Sequence, residues 1–201
     1  MMRPDAPPLV LASGSATRRM LMEAAGLRFE VQPAAVDEAA IKQALWSEGV
    51  TADEAGMALA TAKARRVHRP GAIVIGSDQL LVCEGAWFDK PADITAARAQ
   101  LVRLRGRRHG LVTTVTCWRD GVCVWHHVAR PMLTMRALSD AFVDAYLAQE
   151  GDACLASVGA YRLEGLGVQL FDQIEGEHAA ILGLPLLALL GFLRQHGVVM
   201  I

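Results

Sequence analysis

Leu9-Val10-Leu11-Ala12-Ser13-Gly14-Ser15-Ala16-Thr17-Arg18-Arg19 is the stretch from which the fold is read. A short apolar run enters Ser-Gly-Ser, and two arginines open the next segment. Met20 to Ala25 are mostly helix formers, and Gly26 stands where a helix would stop. The pattern predicts a buried strand, a tight turn and a helix capped by Ser13 or Ser15. Unpaired N–H groups at such a helix start attract anions, and Arg18 and Arg19 add full positive charge there. A phosphate would fit. An ordinary strand-to-helix connection with solvated arginines carries the same residues, and for a short motif alone it is the commoner case.

The 201 residues suit one sizeable domain or a tightly joined pair of lobes. Hydrophobic content of 53% with 20% charged residues describes a well-cored globule rather than a disordered chain. The formal net charge of −1 supplies no global field toward nucleic acid or an anionic membrane. Neither is expected as a partner, and a charged ligand needs a local cluster. Met1 to Pro8 carries an acid and three prolines and lacks the apolar core of a secretion signal. The longest apolar stretch, Ile181 to Leu193, is broken by Gly183, Pro185 and Gly191 and is too short to span a bilayer. Cys83, Cys117, Cys123 and Cys154 form no Cys-x-x-Cys pair, which points to a reducing compartment, most simply the cytoplasm.

Further along, Leu27 to Val31 alternates apolar and polar residues and predicts a half-buried strand. Asp37 and Glu38 precede a helical stretch at Ile41 to Leu45. Helix capping explains two carboxylates there; a metal ligand or a base is the sharper alternative. Thr51-Ala52-Asp53-Glu54 has capping-box spacing for a helix to about Arg69, which carries Lys63, Arg65 and Arg66. Ala72 to Gly76 predicts a central strand ending at Ser77-Asp78-Gln79. Ligands of open α/β sheets sit beyond the carboxyl ends of such strands, so Asp78 is a functional candidate. Leu80 to Phe88 reads as a hairpin turning at Glu84-Gly85, followed by Asp89-Lys90-Pro91.

A helix over Thr95 to Leu104 comes next, and Arg103, Arg105, Arg107 and Arg108 read as a solvated edge without aromatic residues for nucleic acid. His109 to Trp118 and Val122 to Arg136 predict two long strands around Asp120-Gly121. No His or Cys spacing suggests zinc. Ser139-Asp140 caps a helix to about Gln149. A glycine-punctuated stretch from Ser157 to Gly167 leads to a strand over Val168 to Ile174 and a last helix from about Pro185 to His196.

Several of these stretches, in this order, resemble the Maf family of nucleoside triphosphate pyrophosphatases. Leu11-Ala12-Ser13-Gly14-Ser15-Ala16-Thr17-Arg18-Arg19 resembles the family's Ala-Ser-x-Ser-Pro-Arg-Arg. Val36-Asp37-Glu38 is followed at the family's distance by Ala62-Lys63-Ala64. Ile75-Gly76-Ser77-Asp78-Gln79 precedes a hairpin and Lys90-Pro91, and Gly159 to Gly167 precedes Gly183-Leu184-Pro185-Leu186. The set covers nearly the whole chain.

The resemblance implies one Maf-like α/β domain over 1–201. Its fold would be elongated and two-lobed, as in inosine triphosphatase-like enzymes, with a mixed twisted sheet flanked by helices and a central cleft. It implies a hydrolase that converts a nucleoside triphosphate to the monophosphate and pyrophosphate with Mg²⁺ or Mn²⁺. Asp78 would be the proton acceptor, and Glu38 with Asp78 would hold the metal. Ser13, Ser15, Arg18, Arg19, Lys63 and Lys90 would line the triphosphate. Thr17, Gln79 and Glu164 fall at positions that separate family branches. Gln79 and Glu164 resemble the 7-methyl-GTP branch, whereas Thr17 stands where that branch tends to have an aromatic residue. Two further departures are Ala16 for the family's proline and Asp89 for the glycine before Lys90. Glu177 to Ile181 also departs from the family's pattern ahead of Gly-Leu-Pro. Family members often pair, so a homodimer is possible. Alternative readings are an inosine or xanthosine triphosphatase of the same fold, or a catalytically weak nucleotide-binding regulator of cell division.

Overall fold

In the computed structural model, which describes residues 1–200, the chain folds as a mixed α/β protein. Its strands, β1 (Leu9–Leu11), β2 (Glu30–Val31), β3 (Ile73–Cys83), β4 (Ala86–Phe88), β5 (Arg108–Arg119), β6 (Val122–Ala129), β7 (Met132–Met135) and β8 (Phe171–Glu175), pair in the order β2-β1-β3-β5-β7-β8, with β4 on β3 and β6 on β5. The chain divides into two compact units, residues 1–78, 113–129 and 183 onward forming one and residues 79–112 and 130–182 the other.

In the first unit, β1 (Leu9–Leu11) lies parallel to both β2 (Glu30–Val31) and the start of β3 (Ile73–Cys83). Leu9 and Leu11 pack with Met22, Ile73, Ile75 and Phe192, while Val10 and Ala12 pack with Ala64, Val67 and Val74 on the opposite side. Alternate residues of one strand thus feed two apolar layers, as the unbroken apolar run requires. Helices α1 (Ala16–Ala24), α2 (Glu38–Ser47), α3 (Ala52–Arg66) and α7 (Leu186–Gln195) complete this unit, with the later part of β5 (Arg108–Arg119) and β6 (Val122–Ala129). Asp120 and Gly121 both take positive φ, 49° and 81°, which the tight turn between β5 and β6 requires.

In the second unit, the end of β3 pairs with β4 (Ala86–Phe88), and the start of β5 with β7 (Met132–Met135), which pairs with β8 (Phe171–Glu175). All of these pairs are antiparallel. The core gathers Leu81, Leu101, Leu104, Leu133, Tyr146 and Tyr161, drawing on α4 (Ile94–Leu104) and α5 (Asp140–Glu150). A one-turn helix, α6 (His178–Ile181), closes the unit.

Three expectations are corrected. The strand expected over Leu27 to Val31 shrinks to Glu30–Val31, because β1 is only three residues long and offers partners to those two alone. The strand expected over Val122 to Arg136 breaks after Ala129, where Pro131 has no N–H for a ladder. Leu166–Leu170 form a 3₁₀ turn, so β8 begins only at Phe171. The arginine cluster lies at the surface, as a solvated edge should, and its members are also paired: Arg105 with Asp140, Arg107 with Glu84, Arg108 with Glu175 at 3.0 Å, and Arg103 over the Phe88 ring. None of the four cysteines is disulfide-bonded, and no helix among the described residues is long and apolar enough to cross a membrane.

Candidate active site

The turn between β1 and α1 is tied by its own serines. Ser15 is the N-cap of α1, its hydroxyl accepting from the Arg18 N–H at 3.3 Å. The Ser13 hydroxyl accepts from the Ser15 N–H at 3.3 Å and from Nη1 of Arg18 at 3.0 Å. Nε of Arg18 donates to the Gly183 carbonyl at 2.8 Å, so a buried guanidinium is fixed at two points. Burial pulls the Arg18 pKa down, and the negative charges of Asp78 and Glu38 oppose that shift. Arg19 lies on a different side of α1, exposed and paired with Glu23 at 2.7 Å. Ala16 occupies the first helical position, where a backbone N–H is dispensable, so losing the family's proline there breaks no hydrogen bond. Thr17 follows it, half-buried.

Asp37 is the N-cap of α2, its side chain accepting from the Ala40 N–H at 3.0 Å. Capping therefore explains Asp37 but not Glu38, whose carboxylate meets Nζ of Lys63 at 2.9 Å. The same ammonium lies 2.6 Å from Oδ1 of Asp78. Lys63 is 7% exposed and Asp78 3% exposed, so this is a buried cation shared by two carboxylates, not the solvated charge usual on a helix.

Gly76 makes the approach possible. A Cβ there would lie 2.2 Å from the Ala60 carbonyl oxygen and 2.9 Å from the Ala64 Cβ. Without a side chain on Gly76, α3 sits directly on β3, and Lys63 reaches the carboxylate two residues further along the strand.

Asp78 does not end a strand. β3 runs unbroken from Ile73 to Cys83, so the expected break at residues 77–79 is absent. What ends is the flanking strand. β1 covers only Ile73–Ile75 and β4 only Leu81–Cys83, leaving Asp78 beyond the carboxyl end of the parallel pairing. The site expected at a strand's carboxyl end is thus set by β1 rather than by β3.

Two supporting residues escaped the sequence reading. The Ser77 hydroxyl donates toward the Thr114 and Gly183 carbonyls, at 2.8 and 3.0 Å. Gly183 thereby holds both Arg18 and Ser77 through one carbonyl, at a φ of +106° that favours glycine. The glycine of Gly-Leu-Pro was the available signal.

Ser13, Ser15, Arg18, Glu38, Lys63 and Asp78 all belong to the first unit. Lys90, Gln79 and Glu164 belong to the second. Lys90 and Asp89 lie in an exposed loop after β4. Nε2 of Gln79 donates to the carbonyls of Ala180 and Ile181, both at 3.0 Å. Glu164 forms an ion pair with Arg162 at 3.5 Å.

Oδ2 of Asp78 is buried without a hydrogen-bond partner among the described residues, and Glu38 supplies a second carboxylate on the same lysine. That donor set suits a hard divalent cation. No group of three or more His, Cys, Asp or Glu residues among the described residues could hold a metal by itself. Two carboxylates completed by substrate phosphates are an ordinary Mg²⁺ environment.

An α/β sheet with a buried arginine at a helix start, and a lysine bridging two carboxylates, defines a class of protein suited to phosphate chemistry. The sequence matches the family of Maf-like proteins over residues 8–196, and the chain belongs to the Maf family. It is 58% identical over 190 residues to a protein of Granulibacter bethesdensis named nucleoside triphosphate pyrophosphatase, covering 94% of this chain and 96% of that one. A Rhizobium meliloti relative, 46% identical over 195 residues and covering 96% and 98% of the two chains, is named 7-methyl-GTP pyrophosphatase.

Proposed function

We propose that this protein is a nucleoside triphosphate pyrophosphatase that cleaves the bond between the α and β phosphates, acting on guanine-type triphosphates with 7-methyl-GTP ahead of GTP. The observation that carries the reading is the buried Lys63 between Asp78 and Glu38. Two relatives' names, nucleoside triphosphate pyrophosphatase and 7-methyl-GTP pyrophosphatase, support it. The protein is accordingly a hydrolase acting on an acid anhydride.

In this mechanism Asp78 takes a proton from the attacking water through Oδ2, the oxygen without a hydrogen-bond partner, while Lys63 holds Oδ1. The water oxygen bonds to the α-phosphorus, the bridging oxygen leaves with pyrophosphate, and the monophosphate remains. Arg18, fixed by Ser13 and Gly183, supplies positive charge with no reorganisation during the reaction. Glu38 and Asp78 would hold a divalent cation. When bound, such an ion neutralises phosphate charge and polarises the phosphoryl oxygen. Lys90 as a further phosphate contact, and Thr17, Gln79 and Glu164 as base-choice residues, rest on the family motifs. A carboxylate at Glu164 can accept from the paired N–H donors of a guanine edge and favours the positive charge of a 7-methylated ring. We place the enzyme in the cytoplasm, consistent with four unbridged thiols.

Incubation with 7-methyl-GTP, GTP, UTP and TTP, with both phosphate and pyrophosphate measured, tests the reaction. The expected products are monophosphate and pyrophosphate, fastest with the guanine substrates and abolished by EDTA. Orthophosphate and a diphosphate as primary products would overturn the bond assignment. Faster turnover of UTP or TTP would overturn the base assignment.

A further inference from the structure

Glu164 shares its cation. Nε of Arg162 lies 3.5 Å from Oε1 of Glu164, a charge contact without a hydrogen bond. The other arm of the same guanidinium turns to Glu150, the last residue of α5, where Nη1 donates to Oε2 at 3.3 Å. The Glu150 side chain is only 5% exposed. Its second oxygen accepts the Leu166 N–H at 3.0 Å, and a Cβ on Gly165 would come within 2.9 Å of that oxygen. The segment from Arg162 to Leu166 therefore wraps a buried carboxylate, and one arginine stands between that carboxylate and Glu164.

Buried and exposed carboxylates compete unequally for one cation. Glu150 is largely out of water and needs a counter-charge. Glu164 is better solvated and needs one less. The guanidinium accordingly makes its hydrogen bond to Glu150 and leaves Glu164 only partly compensated.

We propose that Arg162 is a specificity-determining positioning residue: the division of its charge between Glu150 and Glu164 sets how much negative charge Glu164 presents to the base. The inference rests on the reading of Glu164 as a base-choice residue. 7-Methyl-GTP and GTP carry the same guanine-edge donors and differ in one methyl group and the positive charge it brings. The ratio of their kcat/KM values therefore reads the charge that Glu164 presents. It is also independent of how much of a variant is folded, because active concentration cancels.

The test measures that ratio for the full-length protein and for Arg162→Met, Arg162→Lys, Glu150→Gln, Glu164→Gln and the Arg162→Met/Glu164→Gln double variant. Arg162→Met uncovers Glu164 and is expected to raise the 7-methyl-GTP preference by up to about fivefold, the upper end of the range for a solvent-exposed ion pair. Glu150→Gln releases Arg162 wholly to Glu164 and is expected to lower the preference by a similar factor. Arg162→Lys, which keeps the charge, stays near wild type. In the Glu164→Gln background, Arg162→Met leaves the ratio unchanged. Opposite shifts that vanish without Glu164 support the proposal, since general loosening of the segment moves both variants the same way. Shifts in the same direction, or none while Glu164→Gln itself alters the ratio, overturn the proposal and leave the reading of Glu164 intact. A ratio insensitive to Glu164→Gln overturns that reading and the proposal with it.

Discussion

A lysine ammonium 7% exposed between two carboxylates is a strong restriction on what Asp78 can do. Lys63 holds one oxygen of Asp78 in a nearly dry site, which leaves the second oxygen to act. Asp78→Asn keeps the shape and removes the charge. Turnover is expected to fall about 100-fold or more, the usual cost of losing a general base. Because Asp78 is buried and paired rather than exposed at a strand end, the substitution also touches stability. Lys63 keeps Glu38, so the expected loss is on the order of 1–3 kcal/mol rather than the larger cost of an isolated buried charge. Single-turnover rates and urea unfolding midpoints of the purified variant measure the two effects separately. Near-normal turnover would move the base role to Glu38.

At the scale of elements, the site depends on how closely α3 lies against β3. Gly76→Ala places a methyl group 2.2 Å from the Ala60 carbonyl oxygen, a backbone atom that cannot turn aside. The helix must shift, and Lys63 moves with it. Both a stability loss of about 1–3 kcal/mol, the overpacking range, and a fall in kcat are expected. Unfolding midpoints and steady-state kinetics check this, and a stable variant with full activity would show that α3 tolerates displacement.

Local signals were legible where one residue suffices. The capping box of α3 has both halves, the Thr51 N–H donating to Glu54 at 2.8 Å and the Glu54 N–H to Thr51 at 3.3 Å. Asp120-Gly121 makes the expected turn, and Ser139 caps α5. Illegible features were those decided by a distant partner. Ser77-Asp78-Gln79 has polar residues that suggest a strand end, yet β5 continues beside β3 and keeps it extended. Asp78 is a candidate from its place after an apolar, β-branched run, whereas Lys63 reads as a solvated helix charge and becomes a candidate only through the family motif. Their mutual contact, and the need for Gly76 beneath it, depend on a helix-to-strand distance that no local pattern encodes.

For the molecule as a whole, three apolar clusters set the terms of stability, and the second unit also buries an ionisable group that the proposed chemistry does not use. His109, on β5, is 1% exposed, with Nε2 3.0 Å from the Tyr161 hydroxyl and its ring against Phe171. Burial lowers its pKa from 6.5 to about 4, a shift that the backbone at Arg107 opposes. From about pH 7.5 upward the imidazole is almost wholly neutral whether the chain is folded or unfolded, and it contributes almost no pH dependence. Between pH 6.5 and 4 the unfolded chain takes up a proton that the folded chain refuses, so stability falls as pH falls. The penalty grows to about 2 kcal/mol at pH 5 and levels off near 3 kcal/mol below pH 4. His109→Gln cannot take up that proton. It is expected to be less stable than wild type at pH 7.5, through lost ring contacts, while the gap narrows by about 2 kcal/mol on going to pH 5. Urea unfolding of both proteins across this range gives the comparison. Parallel pH profiles for the two would assign the acid sensitivity to another group and show that His109 is protonated as easily in the fold as outside it.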